Sequence, residues 1–215
     1  MKAMLLKLAE KSLLPDFLIR QGIRQRNKEH LRDLYRHDPE KLISRNIKFY
    51  KDCSNTEIAL STKEANEQHY ELPTQFFKLV LGEHLKYSGS CFSHVNQGLS
   101  EAELETLELY TQRAQLTDGQ AILDLGCGWG SLSLFLASKY PSSSITAVSN
   151  SRTQKDYIDK QAQLRDLTNI EVITCDINAL ELSQKYDRIL SVEMLEHVTN
   201  HREVFKRIAG WLKPD

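Results

Sequence analysis

The sequence predicts an α/β protein, a parallel sheet covered by helices on both faces and preceded by a helical extension. Three observations carry this expectation. Short apolar runs alternate with helical patterns from residue 121 onward, glycines cluster directly after the first run, and the N-terminal region places its leucines at helical spacing. A chain of 215 residues with 40% hydrophobic residues and five prolines is long enough to bury one sizeable core and a small appendage.

Met4, Leu5 and Leu8, then Leu13, Leu14, Phe17 and Leu18, recur at helical spacing, with Pro15-Asp16 as a helix start between two segments. A helix from Asp16 to about Arg36 ends before Asp38-Pro39, because the residue ahead of a proline is pushed out of the α region. Residues 43–65 read as short elements around a polar connector. The run TQFFKLVLG is a helix entered at Thr74 and stopped by Gly82. Ser100 and Glu103 form a capping box for the next helix, whose apolar positions are Leu104, Leu107, Leu109 and Tyr110.

The αβ pattern follows, with strands at 121–125, 145–149, 171–175 and 188–193 and helices at 131–139, 153–164 and 202–212. Short apolar strands separated by helices imply a parallel sheet buried on both faces. The chain stops at WLKPD, a helix end followed by a turn opening. That leaves four strands and an unpaired edge, so the C-terminal strands are expected to be missing. Two domains are expected: a helical extension over 1–70 and a ligand-binding domain over 71–215.

Composition excludes several classes. Residues 1–51 hold 13 Lys and Arg against 6 Asp and Glu, a net +7, and the remainder holds 15 against 23, a net −8. A basic amphipathic N-terminal part suits peripheral contact with an anionic membrane or an acidic partner, but a solvated helical face is the plainer and favoured account. No basic cluster interleaves with aromatics, which argues against nucleic acid. Cys53, Cys91, Cys127 and Cys175 form no CxxC pair, so neither zinc nor a disulfide framework is expected; they read as thiols of a cytoplasmic protein. No apolar run approaches the roughly 20 residues of a membrane span. Glu10, Lys11 and Asp16 interrupt any secretory signal.

In DLGCGWG the glycines fall at 126, 128 and 130, giving GxGxG where a dinucleotide site would show GxGxxG. Glycines let the backbone turn sharply out of the strand and approach a ligand, and the helix from Ser131 points its free N–H groups at the site. A dinucleotide enzyme needs an acid at the end of the second strand; here that position is Asn150. Ser149, Asn150 and Gln154 remain candidates for ribose contacts. At the end of the third strand, Asp176 suits an exocyclic amine with Ile177 packing on the ring, although a turn or cap role accounts for Asp176 equally well. Glu193, Glu196 and His197 follow the fourth strand at the carboxyl edge of the sheet, where open α/β sheets bind ligands. Two carboxylates and an imidazole there can accept a proton from an amine or stabilise a cation, a role that partial burial favours. Alternatively Glu196 and His197 begin the next helix. Trp129, Tyr140 and the phenylalanines read as packing residues.

The segments NEQHYELPTQFFKLVLGEHLKYSGSCF, DLGCGWGSLSLFLASKYP, AVSNSRTQ and YDRILSVEMLEH, in this order over about residues 66–215, resemble the cyclopropane-fatty-acid synthase superfamily, in particular its branch similar to plant coclaurine N-methyltransferases. The resemblance implies a Rossmann-like class I methyltransferase fold with strand order 3-2-1-4 and S-adenosylmethionine as methyl donor. By motif, Tyr87 and Ser88 approach the donor's methionine part, Asp124, Gly126 and Gly128 belong to the donor loop, and Ser149, Asn150 and Gln154 meet the adenosine. Fatty-acid-modifying members hold a bicarbonate base with the cysteine of a YSC motif and the glutamate of a G-A-F-E-H motif. Here the first reads Tyr87-Ser88-Gly89, with Cys91 two positions on, and the second begins with Glu193 and keeps Glu196-His197. Both departures match the amine-methylating branch, in which the residues matching Glu196 and His197 are catalytic. The resemblance thus implies a small-molecule amine as acceptor, with unsaturated phospholipid acyl chains as the alternative and a non-catalytic, donor-binding remnant as a third reading.

Overall fold

The computed structural model describes residues 7–35, 39–60 and 72–214. Met4, Leu5, Arg36, Asp38 and positions 61–71 lie outside the described residues, and with them parts of the predicted N-terminal pattern and connector. The chain divides into two compact units, residues 1–52 and 53–215.

In the first unit, α1 spans Asp16–Tyr35 and α2 spans Pro39–Cys53. Pro39 suits the first helical position, where its missing N–H has no partner to lose. The sequence reading put short elements from residue 43; instead a single helix runs to Cys53, because Ile43, Ile47 and Tyr50 keep helical spacing past the proline. Neither helix buries a residue, and no described helix is long and apolar enough to cross a membrane.

The second unit holds α3 (Thr74–Val80), α4 (Leu99–Arg113), β1 (Ala121–Leu125), α5 (Ser131–Lys139), β2 (Ser144–Ser149), α6 (Arg152–Leu164), β3 (Ile170–Thr174), β4 (Arg188–Leu190) and α7 (His201–Trp211). The four strands are parallel in the order β3-β2-β1-β4, with Ile122 opposite Ile145 and Arg188, and Ile145 opposite Ile170. Side chains alternate across each strand. Ile122 and Ile145 pack against Leu107 of α4 and Leu132 and Leu136 of α5, and Ala147 and Val172 meet Ile158 of α6. Leu123, Leu125 and Val148 point the other way, onto Trp211 of α7 and Tyr186. Both faces are therefore buried, which is why these strands read as continuous apolar runs.

Two local expectations fail. Gly98 occupies the N-cap of α4 without a side-chain bond, so Ser100 and Glu103 make no capping box. Glu103, fully buried, accepts the backbone N–H groups of Gly82 and His84 at 2.9 Å and of Lys86 at 3.3 Å. A carboxylate with several lone pairs satisfies a loop whose donors would otherwise be buried alone. The fourth strand ends at Leu190, three residues early: the Ser191 hydroxyl donates to Leu125 O at 2.9 Å, and Glu193 turns into the left-handed region at φ 54°. As expected, β4 stands at the edge of the sheet, with no fifth strand beside it among the described residues. Tyr186 N donates to Trp211 O and Lys213 N to Tyr186 O, both at 2.9 Å, so the residues after α7 begin parallel pairing beside Tyr186.

Candidate functional site

Two adjoining clefts, about 150 Å³ and 90 Å³, open along the carboxyl ends of the strands and share Gly126, Gly128 and Glu193. That edge is where open α/β sheets leave a crevice.

The glycine loop makes the junction. Gly126 N and Cys127 N both donate to Val148 O, at 3.0 and 2.9 Å, which turns the chain sharply out of β1. Gly126 has φ 88°, and a Cβ there would lie 2.7 Å from Met194 Cγ. At Gly128, with φ 53°, a Cβ would meet nothing within 4 Å. One glycine is thus required by packing, whereas the other leaves open space beside both clefts, the arrangement a closely approaching ligand needs. Asp124, just inside the loop, is 2% exposed and accepts the Ser133 hydroxyl at 2.5 Å. Burial raises its pKa to about 6, against the pull of the Ser133 bonds. Burial also pushes the Cys127 thiol well up, and the neighbouring Asp124 charge adds to that.

The larger cleft takes Ser149, Asn150, Gln154, Asp176, Ile177 and His197. Ser149 Oγ donates to Gln154 Oε1 at 2.6 Å and accepts Ser151 N at 3.0 Å; Ser151 in turn caps α6. Ser149 is therefore an orienting residue for Gln154, whose Nε2 is buried without a partner. Asp176 accepts Asn178 N at 2.8 Å, so the turn role and the place beside the cleft coexist. Ala59 and Leu60 complete this wall. They are held there by Asn178, which exchanges bonds with Ala59 N and O at 3.1 and 2.9 Å, and by Asn200, which donates to Ser54 O and Thr56 O at 3.2 and 2.8 Å.

The smaller cleft takes Tyr87, Ser88 and Asp124, with Lys86, Trp129 and Ser131. Its loop is held against α4: Ser100 Oγ accepts Glu83 N, Glu103 accepts the three amides named above, and Thr106 Oγ1 accepts Cys91 N at 2.8 Å. Cys91 is exposed and lines neither cleft.

Of the sequence candidates, only Glu196 borders neither cleft. It sits on the single turn Leu195–His197, and Glu193, Glu196 and His197 are all exposed, so the partial burial that would favour a carboxylate base is absent. Sequence reasoning passed over Lys86, Ala59, Leu60 and Met194, and saw only packing in Trp129, which fills a core cluster with Phe77 and Leu85 while lining the smaller cleft. A lysine flanked by Leu85 and Tyr87 was a usable signal. Nothing local marks residues 59 and 60, which are held at the cleft by Asn178 and Asn200 and by Ile58, whose carbonyl accepts Thr199 N and whose side chain packs on Val198 and Val204.

Residues 59–215 match the family described as mycolic acid cyclopropane synthetase. The chain belongs to this family. Within it, the chain is 38% identical over 211 residues to the (S)-coclaurine N-methyltransferase of Thalictrum flavum subsp. glaucum, covering 98% of this chain and 58% of that enzyme. It is 30% identical over 151 residues to the cyclopropane-fatty-acyl-phospholipid synthase of Escherichia coli K12, covering 69% of this chain and 38% of that enzyme. A crystal structure of coclaurine N-methyltransferase bound to N-methylheliamine and S-adenosylhomocysteine superposes with a TM-score of 0.91 at 38% identity, over 99% of this chain and 61% of that one. The fold is thus the class I methyltransferase fold, and the chain spans about three-fifths of the length of the N-methyltransferases it matches.

Proposed function

We propose that this chain forms the donor-binding part of an S-adenosylmethionine-dependent methyltransferase acting on a small-molecule amine. The observation that carries the reading is the pair of clefts meeting at Gly126, Gly128 and Glu193: a nucleoside-sized wall of amides, hydroxyls and Ile177 on one side, a polar loop on the other, and an acid between them.

The residues fit the donor. The unpartnered Gln154 Nε2 offers a hydrogen bond to a ribose oxygen, with Asn150 beside it; Asp176 and Ile177 suit the amine and the face of adenine; Gly128 leaves room for close approach. When bound, the donor supplies a methyl group on a positively charged sulfur, open to an amine lone pair. The protein positions the two partners, which supplies much of the rate enhancement in such transfers. Glu193, held in a left-handed backbone that costs free energy, stabilises positive charge on the amine at the junction. His197, in the same cleft, takes its proton, and Glu196 acts from the rim of the turn. The amine is favoured over a lipid because Gly89 stands where the bicarbonate-binding cysteine is expected, and because identity to the N-methyltransferase exceeds that to the lipid enzyme.

Calorimetry with S-adenosylhomocysteine tests the donor site, and labelled donor offered to an amine of the coclaurine kind and to phospholipid vesicles tests the acceptor. We expect binding, with label in the amine. Label confined to lipid would transfer the assignment to acyl chains, and a folded chain that does not bind would refute it. In active protein, Glu196→Gln lowers turnover without weakening S-adenosylhomocysteine; unchanged turnover would remove Glu196 from the chemistry.

A further inference from the structure

Arg207, on α7, has no part in the reading above, yet it gathers the backbone of the turn that follows β3. Its side chain is 28% exposed, and its Nη1 donates to Ile177 O at 3.0 Å, Asn178 O at 3.1 Å and Leu180 O at 3.4 Å. No other group among the described residues donates to these three carbonyls. Within the same turn Ala179 N donates to Asp176 O at 3.0 Å, and Asn178 N to Asp176 Oδ1 at 2.8 Å. The guanidinium is steadied from its own helix, where Nε donates to Glu203 Oε1 at 3.4 Å one turn earlier.

The turn carries two residues of the larger cleft, Asp176 and Ile177, and they are held in different ways. Ile177 packs against Ile58, Val198 and Val204, a contact that survives without Arg207. The Asp176 carboxylate is tied instead to Asn178 N, so its position follows the backbone of residues 176–178. Three carbonyl oxygens converging on one point repel one another, and a planar, fully charged guanidinium with fixed donors draws them together. Without it the oxygens turn outward, the peptide planes of the turn rotate, and the carboxylate moves with them. The apolar wall stays while the acid shifts.

We infer that Arg207 is a positioning residue for base selection: by fixing the turn it aims the Asp176 carboxylate, and so sets the preference of the larger cleft for a 6-amino purine over a 6-oxo purine. The inference rests on the donor-binding reading. An aimed carboxylate accepts the exocyclic amine of adenine and repels the carbonyl oxygen that replaces it in hypoxanthine, whereas stacking on Ile177 treats the two bases alike. Displacing the acid therefore costs affinity for the first base and relieves repulsion of the second, because hydrogen bonds weaken steeply once their geometry is lost. Arg207 itself borders neither cleft and acts only through the turn.

The test compares two probes on the full chain by calorimetry, S-adenosylhomocysteine and S-inosylhomocysteine, which differ only in the 6-substituent of the base and the N1 proton. The wild-type chain should prefer the first, and Arg207→Met should cut that preference by about tenfold, the scale of a hydrogen bond to a charged group, with S-inosylhomocysteine within about twofold of its wild-type affinity. Asp176→Ala removes the acid and the preference with it, and adding Arg207→Met to that variant changes the preference no further, since both act through one contact. Equal weakening of the two probes by Arg207→Met marks a merely structural role and overturns the inference, as does an unchanged preference or a further loss in the double variant. If Arg207→Met does not fold, Arg207→Gln, which keeps a donor and loses the charge, decides by the same ratio; if neither folds, the residue serves folding alone and the inference is overturned. A wild-type chain that binds both probes equally refutes the inference alone, whereas one that binds neither refutes the donor-binding reading as well.

Discussion

Replacing Asp124 by asparagine tests whether the acid inside the glycine loop is held against its own ionisation. The carboxylate is 2% exposed, and burial raises its pKa from 3.8 to about 6. The unfolded chain therefore releases this proton near pH 4 and the folded chain only near pH 6. The stabilising contribution is full below about pH 4, falls as pH rises through 6, and is lost above that. The gap corresponds to about 3 kcal/mol, and at this burial solvent screening takes little from it. Asparagine keeps an oxygen for the Ser133 hydroxyl and carries no charge at any pH. Its amide brings donors that lack a designed partner, which costs about 1 kcal/mol or more, leaving a net gain of about 1–2 kcal/mol at pH 8. Urea unfolding of both proteins from pH 4 to pH 8 measures this. The advantage of Asp124→Asn grows across pH 4–6.5 and then levels. A stability difference that stays constant across that range would refute the argument.

Two further predictions concern the frame of the site. Gly126→Ala places a Cβ 2.7 Å from Met194 Cγ at φ 88°; we expect about 1–3 kcal/mol of destabilisation and loss of S-adenosylhomocysteine binding, read by denaturation and calorimetry, and wild-type affinity would show that the turn tolerates a side chain. Asn200→Ala removes both the cap of α7, where Oδ1 accepts Glu203 N at 3.1 Å, and the bonds to Ser54 O and Thr56 O. A loss of about 2 kcal/mol should accompany faster hydrogen exchange over residues 54–60. Unchanged exchange there would mean that Ile58 O, which accepts Thr199 N and Asn200 N, holds the segment unaided.

The strands and helices from residue 121 onward were legible because their pattern is local: apolar runs, helical spacing and the glycine cluster each state their geometry within a few residues. Most site candidates were legible for the same reason, since the carboxyl ends of parallel strands must converge on one edge, and twelve of the thirteen candidates border the two clefts. Glu196 is the exception because the end of the fourth strand was misplaced. Whether Leu190 or Glu193 closes that strand depends on Ser191 reaching Leu125 O and on Met194 packing against Gly126, contacts between residues some 70 positions apart in the chain.

The sequence by itself determined the α/β class, the glycine turn and the set of polar groups at the sheet edge, all consequences of period and short-range sterics. Tertiary structure alone decided that Glu103 leaves the capping box to hold the loop of Lys86 and Ser88, and that Ala59 and Leu60 join the larger cleft. Both outcomes follow from one requirement that no local pattern expresses. Buried backbone donors and acceptors must find partners, and in this fold the partners arrive from distant segments: Glu103 for residues 82–86, Asn178 and Asn200 for residues 54–59.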